Sequence, residues 1–221
     1  MKTELLALVL LMVGFGGSPC NKEKNKYKEC TLISNGTQTF MDKNLVVVTY
    51  RNGDVIPQVT DQTAWASLTT GAWCHYNNDP ANDTIYGKLY NWYAVNDPRG
   101  LAPQGWHIPT SAEWQCFSIS LGGEGVAGGK MKTTGTSRWK GDNIGATNES
   151  RFAGLPGGYR CGSKKSYCSG FDQIGYFGYW WSTSEKGSDL ALHRLLSSVV
   201  ASLSSRYAAK SSGFSVRCLR D

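Results

Sequence analysis

The chain has 221 residues and a formal net charge of +6. This length suits one domain of ordinary size and allows a substantial buried core. The basic residues form no arginine-rich run, which argues against a nucleic-acid-binding arm and favours solubility and contact with anionic envelope polymers.

Residues 1–19 have the pattern of a secretory signal peptide. An apolar run from Leu5 to Phe15 follows Lys2, and small residues lead to Cys20. This run is shorter than the roughly 20 residues that a membrane-spanning helix needs. Cys20 stands where a bacterial lipoprotein carries its acylated cysteine, and the polar residues 20–29 suit a flexible tether. We therefore expect an exported protein of the cell envelope, at the outer surface or in the periplasm, anchored by lipid at Cys20. Plain secretion, with Cys20 as an ordinary cysteine, is the alternative.

The remaining cysteines number six, which is an even set for a compartment where disulfides persist: Cys30, Cys74, Cys116, Cys161, Cys168 and Cys218. There is no C-x-x-C pair, and His75, His107 and His193 lack the spacing of zinc ligands. We expect disulfides, no metal site and no cofactor.

The first half of the chain predicts short elements. Residues 28–50 alternate β-favouring pieces with the turn signals Asn35-Gly36 and, just beyond, Asn52-Gly53, which is typical of a small antiparallel meander. DQTAWASL (residues 61–68) predicts a short helix capped by Asp61. A further helix is predicted over residues 86–95, because Tyr86, Leu89, Tyr90 and Tyr93 fall on one helical stripe.

The clearest local signal is PTSAEWQCFSISLGG. Thr110 as N-cap and Glu113 three residues later form a capping box, so a helix should begin there. Trp114, Phe117 and Leu121 would share its buried face, and Gly122-Gly123 would end it.

After Gly122 the sequence predicts long ordered loops, because it is rich in glycine, asparagine and serine but carries too many aromatic residues for disorder. Residues 190–196 and 197–207 predict a hairpin. Phe214, Val216 and Cys218 alternate with polar residues, which predicts a final strand with one buried face.

Five motifs follow one another in the chain: YGKLYNWYAV, GWHIPTSAEW, GATNESRFAGLPGGYR, GYFGYWWSTSE and GFSVRCLRD. Together they resemble the Fibrobacter succinogenes major paralogous domain, a family of bacterial secreted and surface proteins. The resemblance covers roughly Asn35 to Asp221 and implies one domain, which we place at residues 30–221. It implies no particular activity, since the family is defined by its sequence.

IPTSAEW and GFSVRC are also similar, more distantly, to the C-type-lectin-like fold and its formylglycine-generating relatives. That likeness implies an α+β fold with a twisted antiparallel sheet, two main helices and long loops rich in glycine and aromatic residues. It also implies a long-range disulfide between Cys116 and Cys218. A local disulfide is expected between Cys161 and Cys168, which are separated by six residues, and this leaves Cys30 and Cys74 as a candidate third pair.

The sequence argues against catalysis. The formylglycine-generating relatives work through a reactive cysteine pair shortly before the terminal motif, whereas residues 192–217 contain no cysteine. No nucleophile elbow is present either. We therefore predict a binding module that is not an enzyme, with a structural or adhesion protein acting through protein contacts as the alternative. A diverged enzyme of the formylglycine-generating type is the third and least favoured hypothesis. The oligomeric state of the protein is not predicted.

Two stretches have the composition of a glycan site, because sugars stack on aromatic faces while amides and carboxylates bind their hydroxyls. The first, AWCHYNNDPAND, supplies the candidates Trp73, His75, Tyr76, Asn77, Asn78 and Asp79. A turn-rich loop whose Asn and Asp side chains bond their own backbone is the alternative. In the second stretch, Trp180 and Trp181 should point to opposite faces of a strand, so that one of them faces a ligand.

Overall fold

The computed structural model describes residues 38–163 and 170–221, and this part of the chain has an α+β fold. Its strands are β1 (Trp73–Cys74), β2 (Leu89–Tyr90), β3 (Trp106–His107), β4 (Gly157–Arg160), β5 (Phe171–Ile174), β6 (Phe177–Lys186), β7 (Leu190–Ser197), β8 (Ser204–Ala209) and β9 (Leu219–Arg220). Its α-helices are α1 (Gln62–Ala66), α2 (Asp83–Tyr86), α3 (Trp92–Val95), α4 (Ser111–Ser120) and α5 (Glu124–Met131), and short 3-10 turns span Tyr76–Asn78 and Pro80–Asn82.

The main sheet has five strands in the order β5-β4-β6-β7-β8. The hairpin predicted near the end of the chain is confirmed as the antiparallel pair of β7 and β8. β4 and β6 run parallel, however, because β5 turns back along the outer edge of β4 and β6 then follows its inner edge. The sheet is therefore mixed, and the prediction of an entirely antiparallel sheet is wrong at this pair. Two smaller pairs, β1 with β2 and β3 with β9, are antiparallel.

Helix α4 begins as predicted. The Thr110 side chain accepts from the Glu113 backbone N–H, while the Glu113 carboxylate accepts from the Thr110 backbone N–H, so the capping box is complete. Trp114 and Phe117 are buried on its inner face. His107 joins this helix to the end of the chain, because its ring nitrogens bond Glu113 at 2.9 Å and Asp221 at 2.7 Å.

Helix α5 lies where the sequence predicted a loop. Its glycines are required by close packing: a Cβ on Gly128 would stand 2.2 Å from the Ser202 carbonyl oxygen, and one on Gly129 would stand 2.3 Å from that of Gly145. Composition alone suggested loop, because glycine disfavours helices in isolation, but here its small size allows the helix to contact neighbouring backbone.

Two predicted elements of the first half need correction. Residues 86–95 do not form one helix, since β2 separates α2 from α3. The predicted meander is correct at its Asn52-Gly53 turn, where Thr49 bridges Val55 in the antiparallel sense, but its residues 38–47 do not pair with one another. Instead Phe40 bridges Leu219, and the Leu45 N–H donates to the Val216 carbonyl at 2.9 Å. Helix α1, in contrast, has its predicted Asp61 cap, which accepts from the Ala64 N–H.

The final segment runs through the core. Phe214, Val216 and Cys218 are buried as predicted, but Ser215 and Arg217 are buried as well, so both faces of the segment are covered. Only its last part forms a regular strand, β9, which pairs with β3 rather than with the main sheet.

Two buried clusters lie on opposite sides of β6. Trp181 belongs to a large cluster with Phe214 and Trp92, whereas Trp180 belongs to a second cluster with Trp114 and Phe152. Within the described residues, the helices are all too short or too polar to cross a bilayer.

The cysteines correct the predicted disulfides. Cys218 is a free, buried thiol, so the predicted bond between Cys116 and Cys218 is wrong. Its side chain packs in the large cluster, while Cys116 lies on α4 beside the second cluster. Cys74 is also free, which excludes a pair with Cys30. Cys116 and Cys161 are each disulfide-bonded, but Cys20, Cys30 and Cys168 lie outside the described residues, so the Cys161–Cys168 bond stays a prediction.

Candidate functional site

The aromatic residues of the first predicted glycan stretch are buried. Trp73 is 7% exposed, and its indole N–H donates to the Ile56 carbonyl at 2.9 Å. Tyr76 is 4% exposed, and its ring packs against Phe171. Neither ring presents a face to a ligand, because each lies in the wall of a core cluster.

The polar residues beside them shape the backbone. Asn77 and Asn78 both adopt left-handed conformations, with φ of 55°. The Asp79 carboxylate accepts from the Ala81 N–H, and the Asn82 amide donates to the Tyr76 carbonyl. This stretch is therefore the turn-rich loop that the sequence offered as the alternative.

The tryptophan pair is likewise structural. Trp180 and Trp181 point to opposite faces, as predicted, yet both are fully buried. Their indole N–H groups donate to the Asn44 side chain and to the Tyr90 carbonyl. The prediction that one of them faces a ligand is wrong, because Trp114 of α4 and Phe152 cover the Trp180 side of β6 while Trp92 and Phe214 cover the Trp181 side.

His75 lies at the edge of a candidate site. Its Nδ1 bonds the Asp83 carboxylate at 2.7 Å, and the other oxygen of Asp83 accepts from the buried Lys88 ammonium. Lys88 also lies 4.2 Å from the centre of the Trp73 ring. Asp83 is thus held by two partners, and its charge is balanced by that of Lys88.

Asp83 borders an open pocket of about 520 Å³. Three separated parts of the chain form its wall: Asp42, Lys43, Asn44 and Val46; Asp83, Thr84, Ile85 and Gly87; and Thr133, Arg138, Ala153 and Leu155. Of the sequence-predicted candidates, His75 contacts this wall through Asp83, and Trp180 contacts it through Asn44.

The wall is fixed by buried hydrogen bonds. The Asn44 oxygen accepts from the Trp180 indole at 2.8 Å and from two nitrogens of the Arg217 guanidinium at 3.0 and 2.7 Å. The Asn44 amide nitrogen donates to the Tyr86 carbonyl at 2.8 Å. The Asn44 oxygen is fully occupied and its amide nitrogen is tied to Tyr86, so this side chain forms a fixed floor of the pocket.

The rim carries charged side chains that are free to contact a ligand. Asp42, Lys43 and Arg138 are exposed, and none of them forms an ion pair within the described residues. No local motif marks these positions, because they come together only through the tertiary fold. Sequence reasoning missed them for that reason.

The wall combines polar and aliphatic groups. Over residues 38–163 and 170–221, histidine, cysteine and carboxylate side chains form no cluster of three suited to a metal ion. Rim groups can donate and accept hydrogen bonds, and Val46, Ile85 and Leu155 supply aliphatic surface.

Comparison with known proteins identifies the family. The sequence model of the Fibrobacter succinogenes major domain matches residues 33–220, a range that includes every residue of the pocket wall. No curated protein and no solved structure matches the chain. Since the match spans most of its length, the chain belongs to the Fibrobacter succinogenes major domain family.

Proposed function

We propose that the protein is an exported, non-catalytic binding module and that the pocket beside Asp83 binds a glycan. The pocket itself carries this proposal. Its volume of about 520 Å³ lies within the range of about 300–1,000 Å³ that is usual for small-molecule sites.

The composition of the wall suits a sugar. A sugar ring has hydroxyls that need donors and acceptors, and C–H faces that pack on apolar surface. Lys43, Arg138 and Thr84 supply polar groups at the rim, while Val46 and Leu155 supply apolar surface. The fixed position of Asn44 supports a preformed site, which lowers the entropic cost of binding.

Blocking the pocket tests the proposal. Val46 is 51% exposed and borders the pocket, whereas Val55 is 72% exposed and does not. Val46→Trp should abolish binding on a glycan array, and the matched Val55→Trp variant should bind as the wild type does. Glycan binding that survives Val46→Trp would refute the assignment to this pocket.

A second candidate function is adhesion through protein contacts. Ile144, Val199 and Val200 are 44%, 58% and 42% exposed and lie around the Lys132 ammonium, which donates to the Ile144, Ser197 and Val200 carbonyls. Adjacent exposed aliphatic side chains are typical of interaction surfaces. If this surface mediates adhesion, the wild type should form an oligomer or complex, and Val199→Lys should disrupt it. Light scattering measures the difference.

We also propose export and anchoring through Cys20, which the apolar run and the following polar residues support. Cells expressing the wild type and Cys20→Ser should differ on fractionation. Only the wild type should remain with membranes in high salt, because salt would remove an electrostatic association. Equal distribution of the two forms would refute the anchor.

The C-type-lectin-like fold is proposed on similar grounds. Bridging of Phe40 to Leu219 places an early and a late segment of the chain side by side, and α4 and α5 are the two longest helices of the described part. An experimental structure that superposes poorly on that fold would refute this likeness.

A further inference from the structure

The charges around the pocket indicate what kind of glycan it takes. Lys43 and Arg138 stand unpaired at the rim within the described chain, opposed by the single carboxylate of Asp42. Asp83 adds no net charge, because it is paired with Lys88.

A third cation lies directly behind the floor. Arg217 is 1% exposed and donates to the side chain of Asn44 and to the Phe152 carbonyl, so it touches one wall residue and the neighbour of another, Ala153. Its remaining hydrogen bond goes to the Met41 carbonyl. All of these acceptors are neutral, and no carboxylate bonds this guanidinium in the described residues.

Arg217 therefore projects positive charge towards the pocket. Burial lowers the pKa of its guanidinium and the nearby Asp42 carboxylate partly opposes this, with a net pKa of about 9, so the group remains charged at neutral pH. A charge in a low-dielectric wall is screened less than one at the surface. Three cations against one unpaired carboxylate leave the pocket with a net charge of +2.

We infer that the ligand is an acidic glycan whose carboxylate is bound by Lys43 and Arg138, over a floor made positive by Arg217. This inference rests on the proposed function and adds the class of sugar. The positive charge that attracts the ligand is partly built into the core, which distinguishes it from the dispersed charge of the surface.

Titration calorimetry with oligogalacturonate tests the inference. Its methyl ester is the matched neutral ligand, because it keeps the sugar rings and removes the charge. The acidic oligomer should bind, and the ester should bind at least ten-fold more weakly, since hydrogen bonds to charged groups are stronger by that order. Lys43→Ala and Arg138→Ala should each weaken binding of the acidic oligomer about ten-fold and weaken binding of the ester by a clearly smaller factor, because only the acid loses a bond to a charged group.

Lys140→Ala and Lys186→Ala are the control variants, because both lysines are exposed and lie outside the pocket wall. If these controls weaken binding of the acidic oligomer as much as Lys43→Ala does, the attraction comes from the whole charged surface, and the inference is overturned. Equal binding of the acid and the ester, abolished by Val46→Trp, would also overturn it while leaving the proposed glycan site intact. If neither oligomer binds and no glycan on an array depends on Val46, both the inference and the proposed function fail.

Discussion

Acid should destabilise this protein through one buried histidine. His193 lies on β7, opposite Trp181 on β6 and Arg206 on β8, and it is 5% exposed. Its ring centre is 4.6 Å from that of Phe214 and 5.7 Å from that of Tyr179. Its Nδ1 has no hydrogen-bond partner in the described part of the chain.

These surroundings lower the pKa of His193 from 6.5 to about 4, first because burial removes water from the ring and second because Arg206 repels a positive charge. The folded protein therefore keeps His193 neutral at pH 5, whereas the unfolded chain binds a proton. Unfolding should consequently become about 2 kcal/mol easier at pH 5 than at pH 8 through this group alone. The stability is fully present above pH 6.5 and is lost as the pH falls towards 4.

Urea unfolding of the wild type and of His193→Phe at pH 8 and pH 5 measures this effect. Phenylalanine keeps an aromatic ring among the same neighbours and cannot bind a proton. The change in unfolding free energy between the two pH values should be about 2 kcal/mol larger in the wild type. Any constant cost of the substitution cancels in this comparison. An equal pH dependence in both proteins would refute the reasoning.

Three further substitutions, two of them with a control variant, test the fold. The pKa of His107 should shift in the opposite direction from that of His193. Partial burial lowers the pKa of His107, but its hydrogen bonds to the carboxylates of Asp221 and Glu113 raise it by more, so the net pKa is raised. His107→Gln should therefore lose stability at pH 5.5 and little at pH 9, and a uniform loss would contradict this. Gly128→Ala should lower the unfolding free energy by about 2 kcal/mol or more, because the new Cβ would meet backbone atoms. The Cβ of Gly125→Ala meets nothing within 4 Å, so this control should raise the unfolding free energy by about 0.5–1 kcal/mol. Similar thermal shifts for the two variants would refute the packing argument. Lys132→Met should lower the unfolding free energy by about 3 kcal/mol, because it leaves one buried and two partly buried carbonyls without their donor. Lys130→Met loses only an exposed ion pair of 3.5 Å and should change the unfolding free energy by about 0.5 kcal/mol or less.

The sequence predicted those features of the fold that neighbouring residues determine. The cap of α4 at Thr110 and the cap of α1 at Asp61 are formed by neighbouring residues, so both were predictable. Helix α5 was missed because its glycines are explained only by contact with residues 145 and 202, far along the chain. The Tyr86 to Tyr93 stripe was misread because tertiary pairing of β2 with β1 outweighs helical periodicity.

The candidate site was less predictable than the fold. Trp180 and Trp181 have the composition of a binding platform, but burial on both faces of β6 depends on which segments cover the sheet. Asp42, Lys43 and Arg138 carry no shared motif and meet only in the folded chain. Arg217 was predicted to lie on the exposed face of a strand, whereas the structure places it in the core behind Asn44.

The most direct test of the account is a crystal structure of the protein grown with the acidic oligogalacturonate. We predict a sugar in the pocket beside Asp83, with its carboxylate within hydrogen-bond distance of Lys43 or Arg138 and its ring against Val46 or Leu155. A sugar bound at another surface, with this pocket empty, would contradict the central claim.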